Sequence, residues 1–117
     1  YSKRTGVLCG VGDRRDEDLV EMGRLCAEMF DKLILRRGSY LRGRTEESVF
    51  ELLLKGIAES GKEIDYKIIK ESEEAIFTSF NEAEKNELVV ILADSVQKDI
   101  AIVNKYRDEK LAAAQNA

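Results

Sequence analysis

Two short stretches of this 117-residue chain gather side chains able to handle an anion. One is Asp13-Arg14-Arg15-Asp16; the other is Arg42-Gly43-Arg44, running into Thr45, Glu46 and Glu47. Adjacent arginines at a helix start can aim guanidinium donors and unpaired backbone N–H groups at one anionic group. Two arginines around a glycine can clamp a carboxylate or phosphate through parallel N–H bonds. The competing reading of each stretch is a solvated, charge-balanced helix entrance, and for either loop alone spacing slightly favours it. Two such loops on one edge of a fold shift the balance toward a site.

Other chemistries are excluded by residue type. The chain has no histidine, which removes histidine acid–base catalysis, a serine–histidine triad and histidine-ligated metal. No Gly-Lys-Ser or Gly-Lys-Thr triplet occurs, so a Walker loop is absent. Gly10-Val11-Gly12 could open a dinucleotide fingerprint, but Arg15 stands at its third glycine position, and Arg36-Arg37 ends the second strand where an acid is needed. Acidic pairs such as Glu73-Glu74 read as helix-start residues, and none stands out as a glycosidase couple. No catalytic or metal-ligating residue is assigned. Tyr40 could stack on a ligand, although a lone loop tyrosine is usually neutral.

Composition sets the frame for these loops. With 44% hydrophobic and 36% charged residues, the chain suits one compact domain with a single core. A net charge of -4 argues against a general nucleic-acid partner. No apolar run approaches the roughly 20 residues that cross a bilayer, and no charged-then-apolar leader opens the chain. The expectation is a cytoplasmic protein with no membrane partner. Cys9 and Cys26 read as small core residues, and a reducing compartment disfavours a disulfide between them. The absence of proline fits short regular connections without an interdomain linker.

Periodicity supplies the elements that must hold the loops. Apolar runs predict strands at residues 5–9, 32–36, 66–69 and 88–92. Helical spacing predicts a first helix from Asp16, with Leu19, Met22, Gly23, Cys26, Met29 and Phe30 on one face. Thr45 caps a second helix bearing Val49, Leu52, Leu53 and Ile57, which Gly61 ends. Ser72 caps a third, with Ile76, Phe80 and Ala83; Ser95 caps a fourth, with Val96, Ile100, Val103 and Tyr106. The tail Leu111–Ala117 either extends that helix or frays. Strands alternating with crossover-length helices imply a three-layer α/β/α, Rossmann-like domain with a mainly parallel sheet. Right-handed crossovers put every strand-to-helix loop at the same sheet edge, where α/β ligands bind. Both arginine loops belong there.

The stretch from Gly12 through Arg36, opening "GDRRDED", together with "LRGRTEE", resembles the C-terminal domain of the Mur ligase half of cyanophycin synthetase. The resemblance runs from about Arg4 to Tyr106 and is densest between Gly12 and Leu54. It implies one domain of a larger ATP-dependent ligase, which activates a carboxylate as an acyl phosphate for attack by an amine. The amino acid added would be arginine, joined to aspartate side chains of an acidic peptide polymer. ATP and Mg2+ would be held mainly by a central ATP-binding domain of the same protein, over which this domain closes. Carried onto this chain, Asp13, Arg14, Arg15 and Asp16 would face the nucleotide; Arg42 and Arg44 would meet the amino acid's α-carboxylate and Glu46 its amino end. The isolated domain would be inactive, and self-association of the full-length enzyme stays open. Two departures are visible: Gly10-Val11 stands where the family has glycine-proline, and Arg37-Gly38-Ser39-Tyr40 replaces a run of acids before "LRGR". The other reading is a non-catalytic α/β module that binds an anionic small molecule at the same edge.

Overall fold

The computed structural model describes residues 1–10, 14–39 and 41–115. Four strands alternate with four helices: β1 (Lys3–Leu8), α1 (Asp16–Met29), β2 (Lys32–Leu35), α2 (Glu46–Glu59), β3 (Asp65–Ile68), α3 (Ser72–Glu82), β4 (Glu87–Ile91) and α4 (Val96–Gln115). The strands form one sheet in the order β3-β2-β1-β4, and every pairing is parallel. The predicted strands are all present, each beginning and ending within two residues of its expected place.

Period-two alternation divides the core between the two faces of the sheet. Leu8, Leu33 and Leu35 pack with Cys26 and Ala27 of α1 and with Val49, Phe50, Leu53 and Ile57 of α2. Val7 and Ile34 point the other way, to Ala75 and Ile76 of α3 and to Ile102 and Val103 of α4. The strand order explains this division. Right-handed crossovers from β1 to β2 to β3 advance in one direction and lay α1 and α2 on one face; the return to β4 lays α3 and α4 on the other. The result is a three-layer α/β Rossmann-like domain.

Local signals account for most boundaries. The Thr45 hydroxyl accepts from the Ser48 N–H at 3.1 Å and starts α2. Gly61, at φ 73°, sits just past Ser60 and lets the chain leave α2 in the left-handed conformation. The third helix differs from expectation: Ser72 is its first residue and Glu71 holds the cap position without a side-chain bond. The inward faces of α1 and α4 also differ. Met29 is 53% exposed, whereas Ala27 joins the core. Val96 and Ile100 are exposed, and α4 instead turns Asp99, Ile102, Val103 and Tyr106 inward. Hydrophobic spacing misjudged that helix because a charged residue, Asp99, is among its buried ones. The helix continues to Gln115. Both cysteines are buried free thiols, as core residues should be, and burial pushes the Cys9 thiol up to about 11.

One ion cluster ties α3 to the sheet at the end opposite the loops. Lys32, nearly buried in β2, and Lys67 of β3 both bond to Glu82. Hydrogen bonds from these lysines lower the Glu82 carboxyl from the usual 4.5 to about 2. A depressed folded-state pKa adds stability that is complete above about pH 4.5 and lost as pH falls toward 2. Glu82 is partly exposed, so screening limits the contribution to about 1 kcal/mol. Glu82→Gln is expected to lower stability by about that amount at pH 7 and to flatten the decline between pH 4.5 and 2. Urea melts at pH 7 and pH 3 read both effects; an unchanged pH dependence would refute the assignment.

Candidate functional site

All four strand-to-helix loops emerge at the carboxyl edge of the sheet because every strand points the same way. The first and second loops touch. Arg44 Nη2 donates to the Arg14 carbonyl at 2.7 Å, and Arg44 Nη1 lies 2.7 Å from Asp16 Oδ1. A Cβ on Gly38 would stand 2.5 Å from the Gly10 carbonyl oxygen, so only glycine allows these two backbones to come so close. The expected meeting of the arginine loops is therefore present, with Arg44 as the bridge.

Within that pair of loops the residues divide. Arg15 is exposed and donates to its own helix, from Nε and Nη2 to the Asp18 carboxylate at 3.2 Å each. Those bonds hold the Asp18 carboxyl below its usual range. Arg42 and Gly43 have φ of 52° and 82°, and the Arg44 N–H bonds the Leu41 carbonyl at 3.0 Å, closing a tight turn with two left-handed residues. Glycine or asparagine would fit position 42 at lower backbone cost, so the turn gives no local reason for an arginine there. Asp13 and Tyr40 lie outside the described residues.

Glu46 faces a different group. It accepts from Lys70 Nζ at 2.7 Å and lies 3.6 Å from Arg37 Nη1. The Lys70 bond holds its carboxyl below the usual range. Arg37 also donates to Glu71 at 3.0 Å. Arg37, Lys70 and Glu71 border an open cleft of about 360 Å3 between the ends of β2, β3 and β4, with Gly38, Ser39, Asp94, Lys98 and Asp99 also among its walls. Sequence reasoning did not single out this cleft. Its residues come from loops about 20 or more positions apart, and only the parallel order brings them together.

Beneath the cleft lies a residue that the strand pattern concealed. Arg36 directly follows β2 and is fully buried. Its Nη1 and Nη2 donate to Asp99 Oδ1 and Oδ2 at 2.7 and 2.8 Å, and Nη2 donates to the Leu92 carbonyl at 3.0 Å. The guanidinium holds the Asp99 carboxyl below the usual carboxylate range. Among the described residues, no cluster of three or more carboxylates or thiols is placed to hold a metal ion. No described helix is long and apolar enough to cross a membrane.

Fold and edge together define a Rossmann-like α/β domain with a charged cleft at its carboxyl edge. No family model matches the chain. It is 36% identical over 103 residues to the cyanophycin synthetase of Crocosphaera subtropica, and 39% identical over 103 residues to that of Geminocystis herdmanii. Identity to the cyanophycin synthetase of a Nostoc species is 42% over 101 residues. These matches take in 86–88% of the chain but only 11–12% of each relative. The chain is thus similar to one segment of the cyanophycin synthetases and spans about an eighth of their length.

Proposed function

We propose that this chain is the Mur ligase C-terminal-like domain of a cyanophycin synthetase-like enzyme, an ATP-dependent ligase that forms amide bonds. The observation that carries the reading is similarity to cyanophycin synthetases along 86–88% of the chain. In the proposed reaction, ATP phosphorylates a side-chain carboxylate of an acidic peptide polymer and ADP leaves. The amine of the incoming amino acid then attacks the acyl carbon, expels phosphate and gives up a proton. Residues of this chain bind and orient the reactants and exclude water; none is proposed as the nucleophile.

The edge fits part of that chemistry. Its guanidinium and ammonium groups suit phosphate and carboxylate oxygens. Mg2+ needs oxygen ligands in a compact set, and we assign it to the rest of the full-length protein. Asp13, Arg14, Arg15 and Asp16 serve the nucleotide side, while Arg42, Arg44 and Glu46 serve the amino acid. Arginine as that amino acid is supported by carboxylates beside the Arg37–Ser39 segment. Glu71, Glu73 and Asp94 line the cleft there, so acids missing from one loop arrive from two others.

The test is a ligation assay in the full-length protein. Arg44→Ala is expected to raise the KM for the amino acid by tenfold or more, as loss of about 1.5–3 kcal/mol of charged hydrogen bonding implies, with a smaller change for ATP. Arg15→Ala should show the opposite bias. Two variants indistinguishable from the unaltered enzyme would leave the loops as solvated helix entrances, and a full-length protein that ligates nothing would favour the non-catalytic binding module.

A further inference from the structure

The buried pair under the cleft does more than fill space. Asp99 Oδ2 accepts from the Asp94 backbone N–H at 3.0 Å, and Asp94 Oδ2 accepts from the Ser39 N–H at 3.0 Å. The Arg36 N–H itself continues the β1–β2 ladder to the Leu8 carbonyl at 2.9 Å. Through its backbone N–H and its guanidinium, Arg36 is therefore tied to the ends of β1 and β4, to the first turn of α4 and, through Asp99 and Asp94, to the cleft wall at Ser39. For stability alone this is a costly choice. Arg36 is fully buried and its Nε has no partner, whereas apolar side chains in both places would need no such compensation.

Asp94 also differs from the other carboxylates bordering the cleft. Glu71 bonds Arg37 and Glu73 bonds Lys105. Asp99 is matched by Arg36. Asp94 forms no ion pair among the described residues; its carboxylate accepts from the Ser39 N–H, and its own N–H donates to Asp99. Held from both sides, it lines the cleft with a carboxylate that makes no direct ion pair with any described side chain, and the buried Arg36 guanidinium acts on it only through space.

We propose that Arg36, acting through Asp99, is a positioning residue that fixes Asp94 to receive the cationic side-chain group of the incoming amino acid. This rests on the ligase reading above, and it makes Asp94 a specificity determinant. Positioning costs nothing at the moment of binding when the acceptor is already fixed, which is the advantage of a rigid support over a mobile loop carboxylate.

Two measurements separate the support from the recognition. In the 117-residue chain, amide exchange reads the support. Arg36→Lys, which keeps the charge but loses the two-pronged geometry, should speed exchange at Ser39 and Asp94 by about tenfold or more, with the Leu33–Leu35 amides unchanged. Unaltered protection at Ser39 and Asp94 would overturn the positioning role whatever the enzyme does. In the full-length protein, the recognition is read as preference for arginine over its neutral analogue citrulline, in KM. Asp94→Asn and the paired change Arg36→Met with Asp99→Leu should each reduce that preference by about tenfold or more while the KM for ATP holds; Arg36→Lys should fall between them and the unaltered enzyme. An undiminished preference in Asp94→Asn would sink the recognition role. Absence of any ligation by the unaltered full-length protein would count against the ligase reading instead, and the exchange result would still decide the support.

Discussion

Arg36→Met should destabilise this domain by about 3–5 kcal/mol, a large part of the 5–15 kcal/mol that a domain of this size holds. The loss follows from what the substitution leaves behind. Asp99 is buried, and its two oxygens take two bonds from the guanidinium at 2.7 and 2.8 Å. Methionine matches the hydrophobic stem of arginine but strands a carboxylate that only the Asp94 N–H would still serve. The Leu92 carbonyl loses a donor as well. Changing Asp99 to leucine in the same chain removes the stranded charge, so the double variant should recover most of the loss. Urea melts of the two single variants and the double variant give the cycle. A single variant as stable as the double one would mean that the pair is not desolvated as described.

How such a residue escaped the sequence reading has a physical answer. Four strands and four helices were legible because each buries one face, and burial imposes period two or 3.6 on the apolar residues. Parallel order was legible because helices of crossover length separate the strands. Arg36 carries no periodic signal. An arginine ending an apolar run looks like the start of a solvated loop, and its partner, Asp99, looks like a first-turn acid answering the dipole of α4. Those two residues stand 63 positions apart, and nothing local couples them. A weak clue was available: a helix whose apolar residues Val96 and Ile100 leave the inward stripe incomplete must bury something else there. The arginine loops were legible as charge clusters, and their meeting through Arg44 and Asp16 followed from topology. That Glu46 would bond Lys70 was not legible, because the relative tilt of loops depends on side-chain packing that no single segment encodes.

The contact that sets the distance between the two arginine loops lies a few turns behind them, and Gly56→Ala should break it. Helices α1 and α2 cross so closely that a Cβ on Gly56 would stand 1.9 Å from the Val20 carbonyl oxygen and 2.7 Å from the Arg24 nitrogen. A Cβ on Gly23 would meet the Leu53 carbonyl oxygen at 2.1 Å. Both obstacles are backbone, so no rotamer change can relieve them; the helices must move apart by an ångström or more. Alanine improves intrinsic helix propensity by about 1 kcal/mol, but forced separation of a packed pair costs more. We expect a net loss of about 2–3 kcal/mol for Gly56→Ala and a similar one for Gly23→Ala. Because α1 begins at Asp16 and α2 at Glu46, separating the helices also pulls Asp16 from Arg44, and ligation in the full-length protein should fall with stability. Gly43→Ala is the contrasting case. Position 43 has open space around it but φ of 82°, so its cost is confined to left-handed backbone, about 1 kcal/mol. Thermal melts of the three variants should therefore rank Gly43→Ala well above the two helix variants. A Gly56→Ala protein as stable as the unaltered chain would mean that α1 and α2 do not make this close crossing, and the registration of the two arginine loops would need another cause.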